Sequence, residues 1–113
     1  MTEQERNELM QVVRELSYEE REVTLASGRK SNFYFDGKQT ALHSTGGLLT
    51  GKAFWEIVKT FEGPVHGVGG LTMGADPIAT ATSIAANLDG QPVHAFIIRK
   101  EPKGHGTGQW LEG

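Results

Sequence analysis

Between Arg99 and Gly106 the chain reads Arg-Lys-Glu-Pro-Lys-Gly-His-Gly. Arg99, Lys100 and Lys103 are permanent cations, His105 can become one, and Glu101 is the single opposing carboxylate, in a chain whose formal net charge is -3. Pro102 and the glycines forbid a regular helix, so a mobile loop is expected. It follows the apolar run Val93 to Ile98 and therefore leaves the C-terminal end of a strand, where α/β sheets place their ligands. A cationic loop there can close over a polyanion and neutralise charge that develops on a departing group. An ordinary solvated basic loop has the same composition, and the segment alone leaves both readings open.

A second candidate is Gly69-Gly70-Leu71-Thr72-Met73-Gly74, between a short apolar strand, Val65 to Gly69, and a helix starting near Pro77. A glycine-rich turn into a helix N-terminus aims free N–H groups and the positive end of the helix dipole at one point, which suits phosphate. No Lys-Ser or Lys-Thr follows, as a Walker loop needs, and the spacing is not the dinucleotide fingerprint. A tight strand-to-helix turn without ligand is the alternative, and Asp76, placed to cap the helix, would discourage an anion. The third segment, Ser27 to Lys38, sets Phe33, Tyr34 and Phe35 in a row among Arg29, Lys30 and Lys38. On a strand at least one ring must leave the core side, where a planar acidic ligand can stack; core aromatics with polar neighbours fit equally. His43, His66 and His94 stand apart, so no metal site is expected from them.

The elements that must position these residues follow from periodicity. Leu9, Val12, Val13 and Leu16 predict a first helix over about Glu5 to Leu16. Glu22 to Leu25 and Ser31 to Asp36 flank Ser27-Gly28-Arg29-Lys30 as a hairpin. Leu49, Ala53, Ile57 and Phe61 predict a helix over Thr45 to Phe61. After the glycine-rich turn, Ile78, Ala81, Ala85 and Leu88 mark one face of a further helix, and Val93 to Ile98 reads as a strand buried on both sides. Strand, helix, strand is a βαβ unit with parallel pairing. A two-stranded parallel sheet is not stable alone, so an α/β sheet is expected whose other strands are absent from these 113 residues.

Composition narrows the class. With 22% charged and 37% apolar residues the chain suits one soluble globular domain. The acidic balance argues against a nucleic-acid binder. No cysteine is present, which removes disulfides and thiolate metal sites. Met1 to Glu8 lacks the apolar segment of a signal peptide and no run reaches membrane-span length, so a cytoplasmic protein without membrane or nucleic-acid partners is expected.

Taken together, TLASGRKSNFYFDGK at 24–38, GVGGLTMGADPIATA at 67–81 and AFIIRKEPKGHGTGQWLEG at 95–113 resemble orotate phosphoribosyltransferases over essentially the whole chain. The Arg-Lys-x-x-Lys-x-His loop is the most specific mark. The resemblance implies the N-terminal portion of a type I phosphoribosyltransferase fold. Residues 1–40 would form a hood of helix and hairpin, and residues 41–113 would begin the core sheet and carry the catalytic loop. It also implies transfer of ribose 5-phosphate from phosphoribosyl pyrophosphate to orotate, with Mg²⁺ bound mainly through the phosphoribosyl pyrophosphate. Lys100, Lys103 and His105 would be catalytic. Those three, Arg99, and Leu71, Thr72, Met73 and Gly74 would hold the pyrophosphate side, the last four in a loop that in this fold often contains a cis non-proline peptide. Phe33, Tyr34, Phe35 and Lys30 would face orotate. A homodimer is implied, each cationic loop reaching its neighbour's site. Some members carry lysines where this chain has Ala26 and Met73; Lys30 or Lys38 are the candidates to compensate. The acidic pair for the ribose hydroxyls, the 5-phosphate loop and the arginine for the orotate carboxylate are missing, so these residues alone are expected to be inactive. A regulator that senses a phosphoribosyl ligand on the same fold is the alternative.

Overall fold

The computed structural model describes residues 1–104 and 108–113. The first helix, α1 (Glu3–Val12), starts earlier than periodicity predicts, because Thr2 and Glu5 form a capping box: Thr2 Oγ1 accepts from the Glu5 N–H at 3.0 Å and Glu5 Oε1 from the Thr2 N–H at 2.9 Å. The helix widens into a single π turn at Val13–Ser17 and runs directly into β1 (Tyr18–Thr24), which pairs antiparallel with β2 (Lys30–Phe35). The hairpin is thus present, but its first strand begins at Tyr18 rather than Glu22. Gly28 at the turn has φ +84°, a conformation that side chains disfavour. The hairpin is anchored at its open end: the Asp36 N–H donates to the Ser17 carbonyl, and the buried hydroxyls of Ser17 and Thr40 share a 2.5 Å hydrogen bond. Thr40 lies in α2 (Lys38–Ala41), a short helix that the sequence did not signal.

Helix α3 (Ser44–Val58) is capped by His43, whose Nδ1 accepts from the Gly46 N–H. Its buried face is Gly46, Leu49, Thr50, Gly51 and Trp55, whereas Ile57 is 56% exposed and Phe61 lies beyond the helix end, also exposed. Of the predicted stripe only Leu49 is fully buried. Close approach decides the face. A Cβ on Gly46 would run into the Thr40 carbonyl, and one on Gly51 into the Ala81 carbonyl, so the glycines set which sides α2 and α4 can reach. Helix α4 (Ala75–Leu88) is likewise turned from its predicted stripe: Ala79, Thr82 and Ala86 are buried, while Leu88 is 77% exposed. Small side chains bring this face against α3 and the sheet, and the polar atoms are satisfied locally. Thr82 donates to the Ile78 carbonyl at 2.7 Å and Ser83 to the Val93 carbonyl at 2.7 Å.

The core joins Trp55, Ala86 and Val93, with Val58, Val65, Val68 and Ala85 packed around them. Trp55 Nε1 donates to Asp89 Oδ2 at 2.9 Å, tying the ends of α3 and α4 together. The second sheet has the order β3-β4-β5, with β3 (Gly67–Leu71) parallel to β4 (His94–Ile98). The βαβ unit is as predicted. A third, antiparallel strand, β5 (Leu111–Glu112), corrects the expected two-stranded sheet, and Ala95 to Ile98 are half-buried rather than enclosed on both faces.

Two outcomes follow from this packing. Gly51→Val should destabilise the chain by about 1–3 kcal/mol through overpacking against α4, read from the urea unfolding midpoint; an unchanged midpoint would mean that the helices separate at no cost. Glu5 forms an ion pair with Lys52 of α3, and that hydrogen bond, helped by the Thr2 N–H, lowers its pKa from 4.5 to about 2. A folded value below the unfolded one stabilises above the ordinary pKa, and this contribution disappears as pH falls from about 4.5 towards 2. Glu5→Gln should therefore flatten the acid limb of a stability–pH curve in that window, and parallel curves for the two proteins would contradict the tie.

Candidate active site

The C-terminal ends of β3 and β4 lie side by side, Leu71 opposite Ile98. One residue further on, the Thr72 N–H donates to the Ile98 carbonyl at 2.9 Å. That bond carries the parallel ladder into the glycine-rich loop and places it at the root of the cationic loop, which starts at Arg99. Two segments that the sequence offers separately are therefore one place. The Thr72–Met73 peptide is cis, inside the stretch for which the resemblance predicts such a bond. Leu71, Met73 and Gly74 are exposed and Thr72 is half-buried; a Cβ on Gly74 would meet no atom within 4 Å, so space is open above the loop.

Asp76 does not cap α4 as predicted. The cap position is Gly74 and Asp76 sits in the first turn, where the dipole favours its charge. Its Oδ2 accepts from Thr72 Oγ1 at 2.6 Å and its backbone N–H donates to the Met73 carbonyl at 3.2 Å. The carboxylate is thus spent on shaping the loop. Its other oxygen, Oδ1, is buried and has no partner among the described residues.

The cationic loop doubles back on itself. The Arg99 N–H donates to the Trp110 carbonyl at 2.7 Å and the Lys103 N–H to the Gln109 carbonyl at 2.8 Å, which extends the β4–β5 pairing outward. Arg99 is half-buried at the neck: Nη1 lies 3.3 Å from Glu112 Oε1 and Nε donates to the Glu101 carbonyl at 3.2 Å. Lys100 and Lys103 are exposed, and neither forms an ion pair with a described carboxylate. His105 lies outside the described residues.

The aromatic strand belongs to the hairpin. Phe33, Tyr34 and Phe35 are all exposed, between 43% and 54%. The Phe33 ring stacks on Tyr18 at 5.9 Å between centroids, and the Arg21 guanidinium lies 4.9 Å from the Tyr34 ring centre. Lys30 pairs with Glu22 at 3.2 Å, and Lys38 pairs with Asp36 at 3.0 Å, whose carboxyl that hydrogen bond holds below its ordinary pKa. Both lysines named as possible compensation for Ala26 and Met73 thus rest beside a carboxylate, Lys30 in a solvent-exposed pair of the weak kind that a ligand can displace. Sequence reasoning missed Glu112 and the Thr72–Asp76 contact. The apolar pair Trp110-Leu111 was the one available signal for a strand there; nothing in the sequence marks the hydroxyl–carboxylate contact.

A parallel strand–helix–strand unit with a cis-containing loop at one strand end and a cationic loop at the next defines a phosphoribosyltransferase-type α/β core. Over 108 residues, 96% of its length, the chain is 41% identical to the orotate phosphoribosyltransferase of Nostoc sp. and covers 51% of it. The crystal structure of Mycobacterium tuberculosis H37Rv orotate phosphoribosyltransferase in complex with Fe(III) dicitrate superimposes with a TM-score of 0.78 at 40% identity, covering 96% of this chain and 59% of that one. The same enzyme in complex with 5-phospho-α-D-ribosyl 1-diphosphate gives a TM-score of 0.72 at 38% identity, covering 96% and 56%. No protein-family model matches the chain. The chain is homologous to the N-terminal portion of orotate phosphoribosyltransferases and spans about half to three-fifths of their length.

The Thr72–Asp76 contact gives a direct check. Thr72→Val leaves a second carboxylate oxygen without its partner and should cost about 1–3 kcal/mol, while Thr72→Ser should recover most of it. Equal unfolding midpoints for all three proteins would show that Asp76 does not need the hydroxyl.

Proposed function

We propose that this chain forms the N-terminal portion of an orotate phosphoribosyltransferase of pyrimidine (UMP) biosynthesis, a cytoplasmic homodimer. One observation carries the proposal: the loop around the cis Thr72–Met73 peptide is hydrogen-bonded to the strand end from which Arg99, Lys100 and Lys103 depart. A diphosphate needs both kinds of donor, fixed N–H groups and mobile cations, and here they share one origin. Residues 1–40 then act as the hood and 41–113 as the start of the core sheet with its catalytic loop.

In this reading the diphosphate of phosphoribosyl pyrophosphate rests on the backbone of Leu71 to Gly74, with Arg99 at its edge. Orotate lies along Phe33 to Phe35, with Lys30 towards its acidic group. The ribose C1–oxygen bond breaks as N1 of orotate bonds to C1, and the proton on N1 leaves to solvent or to the departing pyrophosphate. The electron pair leaves with pyrophosphate, so negative charge accumulates on the leaving group while the sugar becomes oxocarbenium-like. Lys100, Lys103 and His105 neutralise that charge as it forms, which is stronger catalysis than binding the ground state alone. Asp76 is the one carboxylate within the glycine-rich loop and its Oδ2 is engaged by Thr72, and no group of three or more His, Asp or Glu among the described residues is placed to hold an ion. Mg²⁺ therefore fits this site as a companion held by the substrate's diphosphate, whose charge it reduces.

In this reading the second copy would meet the apolar face of α3 and α4. Leu42, Leu48, Ile84 and Leu88 are each more than half exposed along a cleft of about 890 Å³ between α3 and α4. Contiguous apolar surface of this kind usually faces a partner. An isologous contact there would bring two loops to two sites. The relatives give the ligand-sensing alternative no support.

Steady-state assays of the full-length protein with orotate, phosphoribosyl pyrophosphate and Mg²⁺ test the proposal. Orotate should be consumed, and Lys100→Ala or Lys103→Ala should lower kcat by roughly 10²–10³-fold, as loss of one transition-state charge partner does. Unchanged turnover in both variants would remove the loop from the mechanism.

A further inference from the structure

We infer that Glu112 is a positioning residue that aims the Arg99 guanidinium at the anion site, an inference that rests on the proposed function. The geometry of the loop neck carries it. Glu112 lies on β5 opposite Ile97, and Leu111 lies opposite Ile98, so the short strand exists beside the last turn of the ladder before Arg99. From there Glu112 Oε1 reaches Arg99 Nη1 at 3.3 Å, while Arg99 Nε donates to the Glu101 carbonyl at 3.2 Å. The Arg99 backbone is fixed as well, its N–H donating to the Trp110 carbonyl at 2.7 Å. Two of the three guanidinium nitrogens are thus engaged, and Nη2 has no partner among the described residues.

A long, partly exposed side chain normally samples many rotamers, and a bound anion must freeze them. Here the acceptors at Nε and Nη1 hold the planar group beforehand, so Nη2, the nitrogen that both of its edges share, can be offered in a set direction. The pair is partly exposed, with 37% and 43% side-chain exposure, so its contribution to fold stability is expected to be small. Its value is directional. Glu112 is also the only described carboxylate paired with a cation of this loop, apart from which Lys100 and Lys103 keep their charge for the ligand.

The test uses the full-length protein and inorganic pyrophosphate with Mg²⁺, read by calorimetric titration. Glu112→Ala should weaken binding about five- to tenfold while leaving the thermal midpoint nearly unchanged. Glu112→Gln, which keeps an accepting oxygen at the same reach, should bind within about twofold of the parent. In an Arg99→Ala background, Glu112→Ala should add no further loss, because Glu112 acts through Arg99; a purely structural role would add its loss in both backgrounds. Equal or tighter binding by Glu112→Ala in the Arg99 protein overturns the inference, tighter binding showing that Glu112 competes with the anion instead. Failure of the parent itself to bind pyrophosphate would instead overturn the proposed function.

Discussion

The hydrogen bond from the Thr72 N–H to the Ile98 carbonyl is the constraint on which the site depends. Parallel pairing of β3 and β4 brings two strand ends to one edge of the sheet, but pairing alone stops at Leu71 and Ile98. The additional bond commits the first loop residue to the second strand. It fixes where the glycine-rich loop begins relative to Arg99, and the Thr72 hydroxyl, held by Asp76, fixes how it turns. The glycine-rich loop and the cationic loop therefore start from the same edge of the sheet. Charge matters less than placement here, since the chain as a whole is acidic and the local field is made by three cations at one sheet edge.

That edge is supported from below by unusually close helix packing. Gly46 and Gly51 of α3 lie against backbone carbonyls of Thr40 and Ala81, and α4 presents Ala79, Thr82 and Ala86 as its buried stripe. Small residues give up side-chain burial, which is why few large side chains are enclosed, in exchange for helices and sheet held at short range. The cost appears on the other side of the same helices, where leucines and an isoleucine are left facing outward.

The sequence made the order of the elements legible, because strand, turn, helix and strand each carry local signals: the apolar runs at 65–69 and 93–98 and the glycines between them. Faces were less legible. The stripes read for α3 and α4 left out Trp55 and Ala86, which are buried, and included Ile57, Phe61 and Leu88, which are exposed. Glycine and alanine score weakly as hydrophobic, yet closeness of approach is set by them, and no periodicity count sees it. Asp76 fits a capping rule by position, but the helix starts at Ala75, so the cap falls at Gly74 and the carboxylate accepts from Thr72. Of the site, the cationic loop and glycine loop could be named from residue type and spacing. Their meeting point and the Arg99–Glu112 pair could not, since both arise from strand register.

The account's central claim is that fixed N–H groups and mobile cations converge on one diphosphate. The most direct measurement is a crystal structure of the full-length protein with bound magnesium pyrophosphate. Diphosphate oxygens are expected within about 3.2 Å of the backbone nitrogens of Met73 or Gly74, and of Lys100 or Lys103 from either subunit. A diphosphate seated elsewhere, with the cationic loop pointing away in an assembled dimer, would contradict it.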